Sequence, residues 1–466
     1  MISQINKIVF ATILVANTFY AQQNLNIKMW AVSLEQGTAN PLYVVNPQPL
    51  KTNAEWKNQI YIQPETSFQT MEGIGGAFNE IGGQALLSLP KEQQLEVMQN
   101  LFAGNKAGFT FCRTSIGASD FGLDAYSYSM VPNDYQMEQI SIERDEKYVL
   151  PYIKTALQYN PQLTIFASPW SPPAWMKISG EMEGLKGKTN SLLDDNKIYQ
   201  AYAKYFVKYI QEYKKNGVFV DRICIQNEND ADTKYPSCVF PAKEMVSFAN
   251  TYLIPAFEKS KVKTKIYAGT FRAADQLDLL DFVQEKNTKK IAGVGIQYTA
   301  SNLIADALKL QPNLKIFHTE GNCFNGANSA DEAKTRLEEV ANYINSGSTT
   351  FTYWNMILNE TTKSGWNWPQ NSLININLTT AEVRYNPDYN AMYIISQFIK
   401  PGDVRIASFS KGKHPMITVK SPDGTIKVLI QNTNAEDKTF KIDIKNTVKM
   451  VTIPAQTITA MSIQPN

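Results

Sequence analysis

Between residues 73 and 354 the chain alternates short apolar runs with longer stretches whose apolar residues recur at helical spacing, and the unit repeats eight times. The runs are Gly73 to Phe78, Phe109 to Ser115, Leu163 to Ser168, Arg222 to Asn227, Lys265 to Thr270, Gly293 to Tyr298, Leu314 to Glu320 and Thr349 to Trp354. Between them, Lys91 to Phe102, Ile198 to Lys214, Ala242 to Lys259 and Ser329 to Ile344 carry an apolar stripe of helical period. Strands alternating with helices in this number predict an α/β fold, a (β/α)8 TIM barrel with enlarged loops.

The flanks differ. Residues 22–70 hold strand-like pieces at Asn26 to Val32 and Gln59 to Ile62. Beyond Val404 short alternating strands follow one another at Met416 to Lys420, Lys427 to Gln431, Thr439 to Ile444 and Met450 to Ile453, with turn signals such as Pro422-Asp423-Gly424. The expected organisation is a signal peptide over 1–21, N-terminal strands over 22–70, the barrel over 71–400 and a C-terminal β-sandwich over 401–466. The N-terminal strands are expected to join the sandwich, because an isolated strand pair cannot bury its apolar face.

A hydrophobic fraction of 43% with 19% charged residues is that of a globular protein. Lys plus Arg number 45 against 43 for Asp plus Glu, a net charge of +2 that gives no reason to expect nucleic acid and suits a neutral substrate. The lysines between Lys438 and Lys449 read as a solvated sandwich face. At the N-terminus Lys7, the apolar stretch Ile8 to Val15 and Ala21 before Gln22 read as an export signal to the periplasm or exterior. No later apolar run has membrane-spanning length.

Several chemistries are disfavoured. With only His318 and His414 present, a multi-histidine metal site is excluded, and a Ser-His-Asp triad would need one of those two. Gly73-Ile-Gly75-Gly-Ala-Phe78 lacks the third glycine of a dinucleotide fingerprint and reads as a tight strand-to-loop passage. Cys112 and Cys224 lie in strand-like runs and read as buried small hydrophobes. A bridge between Cys238 and Cys323 is left open.

In a barrel of this kind the site is built at the strand ends. Glu228 follows run four and Glu320 closes run seven. A lone strand-end glutamate reads as a helix cap or an arginine partner, but these two converge from opposite sides of the mouth. Paired carboxylates there fit glycoside hydrolysis with retention, one donating a proton and the other attacking the anomeric carbon. Asn227 can bond a sugar hydroxyl, and Arg113, ending run two, can orient the nucleophile or form a plain barrel ion pair. Trp170, Trp175, Tyr298, Trp354, Trp366 and Trp368 form an aromatic rim of the kind that packs on sugar faces.

With these motifs in order, the chain resembles glycoside hydrolase family 30, the group of glucosylceramidases and β-1,6-glucanases. The resemblance rests on Gln63-Pro-Glu-Thr-Ser-Phe68, Gly73-Ile-Gly-Gly-Ala77, Arg113 with Ala118-Ser-Asp120-Phe121, Ala167-Ser-Pro-Trp170, Gln226-Asn-Glu228, Thr319-Glu320 and Trp354-Asn355. It implies a retaining β-glycosidase without metal or organic cofactor, Glu228 as acid/base and Glu320 as nucleophile. It further implies that Arg113, Asp120, Trp170, Asn227 and Trp354 line the sugar site, Asp120 gripping hydroxyls far from the reacting carbon. Gln297-Tyr298-Thr299 stands where the glucosylceramidase pattern has His-Trp-Tyr, and Tyr353 replaces an acidic residue, so Gln297, Tyr298 and Tyr353 are read as an altered sugar-binding rim. The loop Gly321 to Gly326 differs as well. These departures favour a β-glucan over a glycolipid. Another glycone (xyloside, fucoside or galactoside) and a non-catalytic carbohydrate-binding protein are the alternatives.

Overall fold

The computed structural model describes residues 25–46, 58–272 and 278–464, so the segment read as an export signal lies outside them. Eight parallel strands make one sheet: β1 (Gly73–Phe78), β2 (Phe111–Ser115), β3 (Thr164–Ser168), β4 (Arg222–Cys224), β5 (Lys265–Phe271), β6 (Val294–Gln297), β7 (Ile316–Glu320) and β8 (Thr350–Asn355). Consecutive strands are neighbours, and β8 returns to β1 with Thr350 opposite Gly73. Two backbone bonds close the seam between β7 and β8, Thr349 N–H to the Ile316 carbonyl (3.0 Å) and Gly321 N–H to the Thr352 carbonyl (2.8 Å). A third comes from a side chain: Thr352 N–H donates to His318 Nδ1 at 3.0 Å. Stacked on Phe351 at 4.2 Å and with its pKa pushed well down by burial, His318 is a wall residue and no triad base. His414 packs on Phe440, remote from the barrel mouth.

The barrel interior is filled by Phe111, Phe166, Cys224, Tyr267 and Phe317. Beneath them the Arg222 guanidinium lies 5.0–5.3 Å from three of the rings and pairs with Glu72 and Asp221, both at 2.7 Å. Side chains alternate along a strand, so on β2 the plug residue Phe111 is followed two positions on by Arg113, inside the mouth. The glycines of β1 serve close approach: a Cβ on Gly75 would stand 2.2 Å from the Phe111 carbonyl oxygen. Of the expected helices, 242–259 is interrupted by a π-turn at Ala249–Leu253, just before Pro255, which has no N–H for the regular helical bond.

The remaining long sheet has nine strands, in the order Thr447–Ile453, Lys438–Ile444, Gln59–Thr70, Val404–Ser410, Met416–Lys420, Ile426–Asn432, Thr457–Gln464, Asn26–Ser33 and Tyr43–Val44. Asn26–Ser33 pairs antiparallel along its whole length with Thr457–Gln464. Phe440, Ile442 and Ile444 alternate with partly exposed residues and pack with Ile60, Ile62, Val428, Ile430 and Met461. The helix Pro387–Phe398 lies between this sheet and the barrel, with Phe398 5.3 Å from the Trp30 ring and Asn390 donating to the Ser33 carbonyl at 2.9 Å.

All four cysteines are buried and free, so the bridge left open between Cys238 and Cys323 is not formed. Each thiol lies against its own local carbonyl, Val239 at 3.7 Å and Gly321 at 3.6 Å. Among the described residues no helix is long and apolar enough to cross a membrane.

Candidate active site

The regular part of β4 ends at Cys224, three residues earlier than the apolar run suggests. Beyond it Ile225 and Gln226 still donate to Tyr267 and Gly269 of β5, but Asn227 N–H turns to Pro169 on the other side (2.7 Å). Gln226 Nε2 staples this bend by bonding the carbonyls of Trp170 (2.7 Å) and Asn227 (2.8 Å). Glu228 follows in the left-handed region, φ +43°, with its N–H bonded to Thr270 Oγ1 at 3.1 Å. A non-glycine residue held there stores strain, and the surrounding bonds over-determine it. Glu320 reaches the mouth by another route. Strict alternation from Phe317 would turn it outward, and a register irregularity between His318 and Glu320 re-aims it.

Arg113, fully buried, ties these pieces together. It donates to Glu320 Oε2 (2.7 Å), the Thr319 carbonyl (3.2 Å), Ser168 Oγ (2.7 Å) and Asn227 Oδ1 (2.6 Å), and its guanidinium lies 4.4 Å from the Trp170 ring. Since Thr270 Oγ1 also donates to Asn227 Oδ1, the oxygen identity of that atom is set by two donors. Tyr298 donates to Glu320 Oε1 at 2.5 Å. Gln297 accepts from Thr319 Oγ1 (2.7 Å), which leaves its Nε2 facing both acids, 3.2 Å from Glu228 Oε1 and 3.4 Å from Glu320 Oε2. Those two legs keep the carboxylate oxygens within about 6.6 Å of each other. Burial, and then the charge of Glu320, push the Glu228 carboxyl up to about 7, while Arg272, 3.5 Å from Glu228 Oε2, works in the other direction.

The cavity over the two acids has a volume of about 320 Å³, with Asp120, Trp170, Glu228, Tyr298 and Glu320 in its lining. Arg113, Asn227 and Gln297 stand immediately behind the acids, and Trp354 stacks on Trp170 at 5.0 Å. At the closed end the Asp120 carboxyl and the Trp354 indole N–H are buried and interact with each other. Burial and the charges of Glu320 and Glu228 push the Asp120 carboxyl well up. Arg113, Asp120, Trp170, Asn227, Glu228, Gln297, Tyr298, Glu320 and Trp354 therefore converge on one place.

Three expectations about the rim need correction. Tyr353 does not belong to it: on β8 it points away from Trp354, is fully buried and donates to Asp388 Oδ2 at 2.9 Å, within the Arg336–Asp388 pair behind the barrel wall. Trp175 is a plug, donating to the Ser129 carbonyl at 3.1 Å and packing on Tyr135. Trp366 packs against the core, whereas Trp368 lines the cavity. Tyr235, Arg272 and Gln370 also line it and are absent from the sequence reading, and Asn322 and Phe324 enter it from the loop that the sequence reading noted only as divergent. Arg272 carried a signal, since it follows β5 directly; Tyr235 lies in an aperiodic loop and carried none.

A barrel with buried carboxylates at the ends of its fourth and seventh strands, in a cleft walled by indole and phenol rings, defines a glycoside hydrolase. Residues 71–399 match the glycosyl hydrolase family 30 TIM-barrel domain and residues 402–461 the family 30 β-sandwich domain, and the chain belongs to this family. Lysosomal acid glucosylceramidase of Mus musculus is 27% identical over 412 residues, covering 81% of this chain and 78% of that one. The endo-1,6-β-D-glucanase of Neurospora crassa is 25% identical over 403 residues, 82% of each chain. In fold the chain is similar to SrfJ from Salmonella typhimurium, with a TM-score of 0.84 at 23% identity over 95% of this chain and 100% of that one.

Proposed function

We propose that the enzyme hydrolyses β-glucosidic bonds of a glucan with retention, Glu320 being the nucleophile and Glu228 the acid/base. The observation that carries this reading is the Gln297 bridge. Carboxyl groups about 5–5.5 Å apart serve retention, whereas inversion needs about 6.5–9.5 Å to admit a water. About 6.6 Å is reached only if the two legs lie in line; the roughly 120° between the two N–H bonds of one amide nitrogen brings the oxygens closer than that, which supports the shorter spacing. The two acids also differ as the roles require: the one pushed up to about 7 keeps a proton to donate, and the other has Arg113 and Tyr298 aimed at it.

In the first step a Glu320 oxygen forms a bond to the anomeric carbon while the carbon–oxygen bond to the leaving group breaks and the Glu228 proton passes to that oxygen. In the second, water attacks the same carbon, gives a proton back to Glu228 and displaces Glu320. Asp120 and Trp354 suit hydroxyls at the far end of the reacting ring. A glucan is favoured because Tyr298 and Gln297 replace the glucosylceramidase residues beside the acids, and because one relative of this chain is named an endo-1,6-β-D-glucanase. The same reading makes residues 1–21 an export signal, which suits an enzyme that meets a polymer outside the cell.

Glu320→Gln should abolish turnover of an aryl β-glucoside, and wild-type turnover in that variant would end the nucleophile assignment. Glu228→Ala should lose activity most on poor leaving groups and recover part of it with azide. Absence of both effects would remove the acid/base role.

A further inference from the structure

Lys177 is buried in the loop that follows β3, directly after the short turn Ala174–Met176. Its Nζ donates to two backbone carbonyls, Met182 and Ser237, both at 2.8 Å, and among the described residues no carboxylate forms an ion pair with it. Burial pushes its pKa down to about 8. A buried cation held by neutral groups carries a desolvation cost that an apolar side chain of the same length avoids. The use of the ammonium lies in what it joins.

Met182 belongs to the loop after β3, and Ser237 to the loop after β4 that carries Glu228. The Met182 carbonyl also accepts from Ser237 N–H at 3.1 Å, so the ammonium locks a contact that the two backbones already make. Further along, Gly184 N–H donates to the Thr233 carbonyl at 2.7 Å and Asn190 Nδ2 to Ser237 Oγ at 2.9 Å. Gly184 permits this approach, because a Cβ there would stand 2.8 Å from the Thr233 nitrogen. Thr233 N–H closes the turn 233–237 on itself by donating to Ser237 Oγ at 3.1 Å. Tyr235 is the middle residue of that turn and lines the cavity over the acids. Burial, and then the charge of Glu228, push its phenol pKa up, which sets the ring beside the acid/base.

We infer that Lys177 is a positioning residue: it ties the loop after β3 to the turn 233–237 and so holds Tyr235 over Glu228, where the ring keeps water from the acid. The inference rests on the hydrolase reading above and adds to it the device that keeps the acid dry. Burial is the largest cause of the raised Glu228 pKa, so water admitted past Tyr235 lowers it. Besides Tyr235, the titratable groups facing Glu228 are Glu320, Asp120, Tyr298, Arg272, Asp230 and Arg113. Lys177 is not among them, so loss of its ammonium reaches Glu228 through the turn.

The test follows kcat/KM against pH on phenyl β-glucoside, whose leaving group needs the proton, in the wild type, Lys177→Met, Tyr235→Ala and the double variant. Both single variants should show the alkaline limb moved about one pH unit lower, which costs about tenfold at pH 7.5 and little at pH 5. The double variant should fall no further than Tyr235→Ala, since the two changes act on one element. Losses that add in the double variant, or an alkaline limb that stays in place in either single variant, would overturn the inference. Should Lys177→Met fail to fold, Lys177→Gln, which is neutral but keeps a donor, takes its place with the same two readouts. A wild type that hydrolyses neither phenyl nor nitrophenyl β-glucoside would instead overturn the hydrolase reading itself, and this role with it.

Discussion

Gln297 Nε2 stands between the two acids, 3.2 Å from Glu228 and 3.4 Å from Glu320, and the Thr319 hydroxyl bonded to its oxygen fixes which end of the amide faces them. A shared donor partly offsets the repulsion between two buried carboxyl groups. Gln297→Leu removes it at similar volume. The loss of one preorganised donor should lower kcat by about 100-fold. Because a donor favours the charged form of Glu228, its removal should also move the alkaline limb of the pH profile upward. An alkaline limb that stays in place would show that Gln297 does not act on Glu228.

The pH dependence of the wild type follows from Glu228. Its carboxyl is pushed up to about 7 by burial and by Glu320, so it is protonated below that pH and charged above it. The first step needs the proton. Activity on a poor leaving group should therefore fall as pH rises through about 7, while an activated aryl glucoside, which needs no proton, should show a weaker alkaline loss. Equal alkaline losses for both substrates would argue against Glu228 as the acid.

Arg113 makes four hydrogen bonds inside the mouth, so its role is structural as well as electrostatic. Arg113→Met leaves Glu320 buried without its cation, a change that costs about 3–5 kcal/mol. Thermal unfolding should register that loss together with a collapse in kcat/KM. If melting were unchanged, the buried pair would not contribute as the geometry indicates.

Tyr353 provides the opposite control. Its hydroxyl bonds Asp388 behind the wall at 2.9 Å. Tyr353→Phe should cost about 1 kcal/mol of stability and leave KM for an aryl glucoside unaltered. A raised KM would return Tyr353 to the sugar site.

Much of this was legible in the sequence because it depends on position along a strand. Short apolar runs between stretches of helical period located the eight strands, and residues at the end of such a run had to lie at the mouth, which placed Glu228, Glu320 and Arg113 there. The family pattern misled at Tyr353, because being next to Trp354 in sequence means facing the other way in a strand. The strand-end rule omitted Arg272, since β5 runs on to Phe271 with a bend at Gly269, φ +87°, one residue beyond the apolar run. Glu320 was found for an incomplete reason, as its inward aim depends on a register irregularity with no sequence signature. The tryptophans show the limit of composition. Trp170 and Trp368 line the cavity and Trp175 is a plug, and only loop geometry separates them.

The central claim is that Glu320 bonds covalently to the sugar. A 2-deoxy-2-fluoro-β-glucoside with an activated leaving group slows hydrolysis of that intermediate, and proteolysis with mass spectrometry then locates the label. The account predicts one fluoroglucosyl group per chain, on Glu320. A label on Glu228 or Asp120, or unlabelled enzyme that releases product of inverted configuration, would contradict it.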